Sequence, residues 1–122
     1  MKRRWSRLAA IGAALAVGAP ATAGDLEFFT GDMLYADCSA KLADADYAPR
    51  HARCGGYVLG VSDAQQAAQG AGAAGRVCLP ATAASTQLTQ SVDRYLEAHP
   101  DKRKLAAQDL VLDALSADFP CK

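Results

Sequence analysis

The chain has 122 residues, 51% of them hydrophobic, with 13 Lys plus Arg, 13 Asp plus Glu and four cysteines. That length suits one domain with one modest core. The neutral total is misleading, because residues 1–23 hold four cations and no acid, and the remainder carries nine Lys plus Arg against thirteen Asp plus Glu. An acidic domain of this kind argues against nucleic acid or an anionic membrane as the main partner and leaves room for a basic protein.

Lys2, Arg3, Arg4 and Arg7 form a positive n-region, Leu8 to Ala19 an apolar h-region, and Ala21-Thr22-Ala23 a small-residue cleavage motif. The pattern predicts a secretory signal peptide over residues 1–23 and a mature domain over 24–122. The apolar run is shorter than the roughly 20 residues that a spanning helix needs, so an uncleaved anchor is disfavoured and no membrane contact is expected after cleavage.

Leu26 to Phe29 reads as extended. Thr30 then predicts a helix cap, followed by Leu34, Cys38, Leu42 and Ala45 at helical spacing. Asp44 to Pro49 is a polar break, with Pro49 tolerated in a first helical turn. A second helix carries Cys54, Tyr57, Val58, Val61, Ala64 and Ala68 as a stripe of period near 3.6. It also contains Gly55, Gly56 and Gly60, each costing about 1 kcal/mol against Ala in a helix interior. Gly56 and Gly60 lie one turn apart, where another backbone could approach closely, unless the helix simply kinks there.

Gln69 to Arg76 is rich in Gly and Ala without apolar periodicity and reads as a flexible loop. Leu88, Val92, Tyr95, Leu96 and His99 predict a third helix, stopped by Pro100. The charged turn Asp101 to Lys104 should be solvated. Ala107, Leu110, Val111, Ala114, Leu115 and Phe119 predict a fourth helix, ended at Pro120-Cys121. The fold class expected is all-α, a small four-helix domain.

Four cysteines allow three connectivities. Cys38 and Cys54 are centred on the Asp44 to Pro49 break, and Cys78 and Cys121 on the His99-Pro100 break. If each break joins antiparallel helices, this symmetry favours Cys38 with Cys54 and Cys78 with Cys121, giving two stapled hairpins. In an exported domain of this size, structural disulfides are the expected use of cysteine.

Catalysis finds little support. His51 and His99 are the only histidines, and neither belongs to a nucleophile, base and orienter pattern. Glu27 and Glu97 are the only glutamates after residue 23, and the aspartates are scattered over helix surfaces. A zinc site from Cys38, His51 and Cys54 has none of the usual short ligand spacings. No cofactor or metal is expected, and binding becomes the leading class.

The order Phe28-Phe29-Thr30-Gly31, Leu34-Tyr35 with Cys38, Cys54-Gly55-Gly56-Tyr57 through Gly60-Val61-Ser62-Asp63-Ala64, Cys78-Leu79-Pro80, Gln87-Leu88, Tyr95 to Pro100, Ala114-Leu115 and Phe119-Pro120-Cys121 resembles the Tai family. These are immunity proteins against amidase effectors of type VI secretion. The resemblance covers nearly the whole chain after the leader. It departs at Ala84, where members often carry Thr or Ser, so the third helix is expected to start near Ser85 or Thr82. It departs again at Ala106, where Pro is often found.

The resemblance implies a non-enzymatic, periplasmic, helical homodimer that binds a peptidoglycan amidase and occludes its cleft. The alternative is an orphan periplasmic binding or envelope-maintenance module with no amidase partner, since fold alone does not fix function. Two elements offer themselves for toxin binding. One is the Gln69 to Arg76 loop, with Gln69, Gly70, Gly72, Gly75 and Arg76 as the named residues, because small residues can enter a narrow cleft. The other is the Asp101 to Lys104 turn.

Overall fold

The computed structural model describes residues 29–122. The predicted leader and all but the last residue of the extended Leu26 to Phe29 stretch lie outside the described residues. Four α-helices follow in order: α1 (Gly31–Cys38), α2 (Tyr47–Gly70), α3 (Ser85–Ala98) and α4 (Ala107–Asp118), with a 3-10 turn at Pro100–Lys102 before α4. Among the described residues, β-pairing is confined to two isolated bridges, Thr30 with Ala106 and Val77 with Pro120. No described helix is long and apolar enough to cross a membrane.

The predicted cap of α1 forms, with Thr30 extended and its Oγ1 accepting from the Met33 N–H at 3.3 Å. The helix ends at Cys38, earlier than the apolar spacing suggests. Asp44 supplies the reason: its carboxylate accepts from the Lys41 N–H at 2.8 Å, and its own N–H donates to the Lys41 carbonyl at 2.8 Å. A short acidic side chain competing for backbone donors favours a turn over a helix. Leu42 and Ala45 therefore leave the predicted stripe, and Leu42 is 83% exposed.

α2 is one continuous helix that buries Cys54, Val58 and Ser62, one turn apart. Ser62 is satisfied by donating to the Val58 carbonyl at 2.8 Å. Tyr57 and Val61 pack partly on the core, whereas Ala64 and Ala68 are exposed. The helix runs through Gln69 and Gly70, so the connection read as Gln69 to Arg76 is shorter than expected.

α3 starts at Ser85, as the missing hydroxyl at Ala84 suggests. Half of a capping box remains, since Gln87 Oε1 accepts from the Ala84 N–H at 2.9 Å while Ala84 has no side-chain acceptor to return. Leu88, Val92 and Leu96 are buried. α4 is the central element: Ala107, Leu110, Val111 and Leu115 are all fully buried. Without a side-chain cap, its first N–H, from Ala107, donates to the Phe29 carbonyl at 2.9 Å.

The charged turn before α4 is not simply solvated. Arg103 Nε donates to the Leu96 carbonyl at 2.7 Å, and its guanidinium lies 3.5 Å from the centre of the Tyr35 ring. A cation on the last carbonyls of α3 complements the end of that helix. The Arg103 and Leu105 carbonyls accept from Asp32 and Gly31 at 2.8 and 2.9 Å, satisfying free N–H groups at the start of α1.

That junction makes Gly31 obligatory. A Cβ there would meet the Leu110 side chain, and would stand 2.8 Å from the Arg103 oxygen and 2.9 Å from its Cα. The helical Gly55, by contrast, has nothing within 4 Å of an added Cβ. Gly31→Ala should destabilise the domain by about 1–3 kcal/mol through overpacking. Gly55→Ala should stabilise it by about 1 kcal/mol through helix propensity. Urea denaturation of the two variants beside the parent tests both signs, and equal midpoints would contradict the distinction.

Candidate functional site

The cysteines form two disulfides, Cys38–Cys54 and Cys78–Cys121, in the pairing that the symmetry of the breaks favours. None of the four remains free. The first joins the end of α1 to the interior of α2. The second lies outside the helices, where the Cys78 N–H donates to the Phe119 carbonyl at 2.9 Å and Val77 bridges Pro120. Thiol chemistry is thereby removed from the described residues.

Each histidine stacks on a tyrosine one helical turn before it. His51 stacks on Tyr47 with ring centroids 5.0 Å apart, and His99 stacks on Tyr95 at 4.1 Å while its Nδ1 lies 2.7 Å from the Tyr95 carbonyl. Among the described residues, no group of three or more His, Cys, Asp or Glu side chains is placed to hold a metal ion.

The expected toxin-binding residues divide between two settings. Gln69 and Gly70 close α2, and Gln69 Nε2 donates to the Val77 carbonyl at 2.7 Å, folding the connection back on the helix. Gly72 is the one described residue at positive φ, 96°, which suits glycine. Gly75 rests against the Gln69 side chain. Arg76 pairs with Asp113 of α4 at 2.5 Å, so the connection is tethered at both ends. Arg76 is exposed and Asp113 half-buried, and such surface pairs contribute about 0–1 kcal/mol.

Between α2 and α4 runs an open groove of about 520 Å³, lined by Gly56, Tyr57, Gly60, Val61, Gln108 and Leu112 among others. Gly56 and Gly60 have nothing within 4 Å of an added Cβ, so no described segment exploits the close approach that they permit. Burial, and then the nearby Asp109 carboxylate, push the Tyr57 phenol above its usual range.

Sequence reasoning missed a polar link beside the first disulfide. Asp37 is 4% exposed, and Arg53 grips it through two bonds, Nε to Oδ2 at 3.0 Å and Nη2 to Oδ1 at 2.5 Å. That hydrogen bonding holds the guanidinium above its ordinary value. The signal was present, because Asp37 precedes Cys38 as Arg53 precedes Cys54, so pairing the cysteines also brings the charges together.

Asp93 is the opposite case. One of its carboxylate oxygens is buried without a hydrogen-bond partner. Burial first, and then Glu97, push its pKa up against the pull of Arg103 and Arg94. An acid whose folded pKa lies above its unfolded value binds its proton more tightly when folded, so stability falls as pH rises through the interval between the two. Asp93→Asn should therefore raise the thermal midpoint at pH 7, with the gain vanishing as pH falls below the unfolded aspartate range. Melting curves from pH 3 to pH 8 check the sign, and a constant difference would contradict it.

No curated protein and no solved structure matches the chain significantly. A sequence model of the Rap1a immunity proteins matches residues 30–121, from the cap of α1 to the last cysteine. The match falls in the same biological class as the Tai family, type VI secretion immunity, without identifying the chain as a Tai member. The chain belongs to the Rap1a immunity protein family, an immunity family of type VI secretion.

Proposed function

We propose that the protein is exported to the periplasm by residues 1–23 and there binds and inhibits a peptidoglycan amidase delivered by type VI secretion. The observation that carries this reading is the family match across the whole four-helix domain. The amidase is the finer step, and it rests on the Tai-like residues from Phe28 to Cys121. The two disulfides favour an oxidising compartment. The acidic balance after residue 23 suits a basic protein surface.

The same reading makes the protein a homodimer, with the open groove between α2 and α4 as apolar surface available for cover. It also assigns effector contact to Gln69, Gly70, Gly72, Gly75 and Arg76. Arg76 meets the effector from a position already fixed by Asp113.

Co-expression with a periplasm-directed amidase encoded beside the gene tests the reading. The full-length protein should restore growth, and a version lacking residues 1–23 should not. Arg76→Glu should weaken protection without unfolding the domain, because it disrupts one exposed ion pair. Protection equal to the parent's would remove Arg76 from the contact. An amidase that is neither bound nor inhibited would leave the orphan module as the better description.

A further inference from the structure

We propose that the turn between α1 and α2, residues 39–46, is a second and separate recognition element. In this role Leu42 enters an apolar pocket of the effector and Lys41 meets an acidic lip beside it. This rests on the immunity reading above.

Leu42 is the most exposed large apolar side chain among those the structure describes, at 83%. Single exposed leucines are common and carry no argument by themselves. What sets this one apart is how firmly its backbone is held. Asp44 closes the turn through both its side chain and its main chain to Lys41, and the Asp44 carbonyl accepts from the Tyr47 N–H at 3.1 Å. Arg50 reaches back from α2 to donate to the Ala36 carbonyl from Nε at 3.1 Å and from Nη2, and it pairs with Asp46 at 3.3 Å and Asp44 at 3.6 Å. Beneath these lie the Asp37–Arg53 pair and the Cys38–Cys54 bond. The ordering cost of presenting Leu42 is therefore met on folding, before any partner arrives.

The links beneath the turn set the register of α1 on α2, while the tip itself contributes no side chain to the core and leaves Leu42 facing outward. Lys41 is exposed and makes no ion pair among the described residues, whereas Asp37, Asp44 and Asp46 are paired with Arg53 and Arg50. A free cation beside an apolar knob favours a partner with an acid at the rim of an apolar pocket. The element is distinct from the 71–76 connection, since α2, with its 24 residues, spans about 36 Å between them. The two ends can be tested independently.

The test is titration calorimetry and surface-plasmon kinetics of the mature, oxidised protein against the purified amidase encoded beside its gene, with sedimentation of each variant alone. Leu42→Ala should weaken binding about 30-fold, as expected for loss of an anchoring side chain, while its melting temperature stays at the parent's value. Lys41→Glu should slow association at low salt, with the difference closing as salt is raised. Asp44→Ala, which loosens the turn and leaves its tip intact, should weaken binding several-fold. Parental affinity in both Leu42→Ala and Lys41→Glu overturns the proposal. So does a Leu42→Ala variant that changes oligomeric state and still binds the amidase normally, because the turn then contacts a second copy. If the parent itself neither binds nor inhibits the amidase, the immunity reading fails first and takes this proposal with it.

Discussion

The Cys78–Cys121 bond closes 43 positions of the chain and holds together the two elements that build most of the core. Of the twelve residues in the buried cluster, six lie on α4 and three on α3. A core this small has little margin over the conformational entropy lost on folding, so covalent closure carries unusual weight. In the chain-entropy account, closing separations of 16 and 43 positions contributes about 3 and about 4 kcal/mol by restricting the unfolded chain. The remaining contacts place the helices within limits that these two closures set.

Each closure has a non-covalent companion in the adjoining residues. Asp37 with Arg53 runs parallel to Cys38–Cys54, and Val77 with Pro120 runs parallel to Cys78–Cys121. Once one link of such a pair has formed, the second closes almost no additional loop and meets little further entropic cost. The companions therefore add less stability than they would alone, but they fix register. Asp37 in particular has almost no solvent, so a misaligned helix pair would leave a buried carboxylate without its guanidinium, a strongly unfavourable state.

The helices and the disulfide pairing were legible because they rest on repeated signals: apolar spacing near 3.6, prolines at breaks, and cysteines placed symmetrically about two turns. The ends of elements were less so. Leu42 has the spacing of a core residue and lost that place to one aspartate two positions later, whose carboxylate captured a backbone N–H. Gln69 and Gly70 look like a loop by composition, yet α2 extends through them, and Gln69 anchors its side chain on the Val77 carbonyl. Lys102 and Arg103 look like solvated charges, yet Lys102 donates to the Tyr95 hydroxyl at 3.1 Å and Arg103 covers Tyr35. In each case a side-chain partner outside the apolar stripe decided the outcome, and such partners do not appear in hydrophobic periodicity.

The glycines of α2 show how the demands of folding and of recognition separate. Gly31 is explained within the domain, because only hydrogen fits between α1 and the Arg103 backbone. Gly55, Gly56 and Gly60 are not, since alanine would fit at all three and would favour the helix by about 1 kcal/mol at each. A domain with a small core that forgoes several kcal/mol on one helix face is not organised for stability alone. Two of these glycines line the groove against α4, where the absence of Cβ atoms lowers one wall and lets a neighbouring chain come closer to α2 than side chains would permit. In an immunity family, whose action consists of occupying another protein's surface, the stability left unused on such a face is consistent with selection for contact outside the fold.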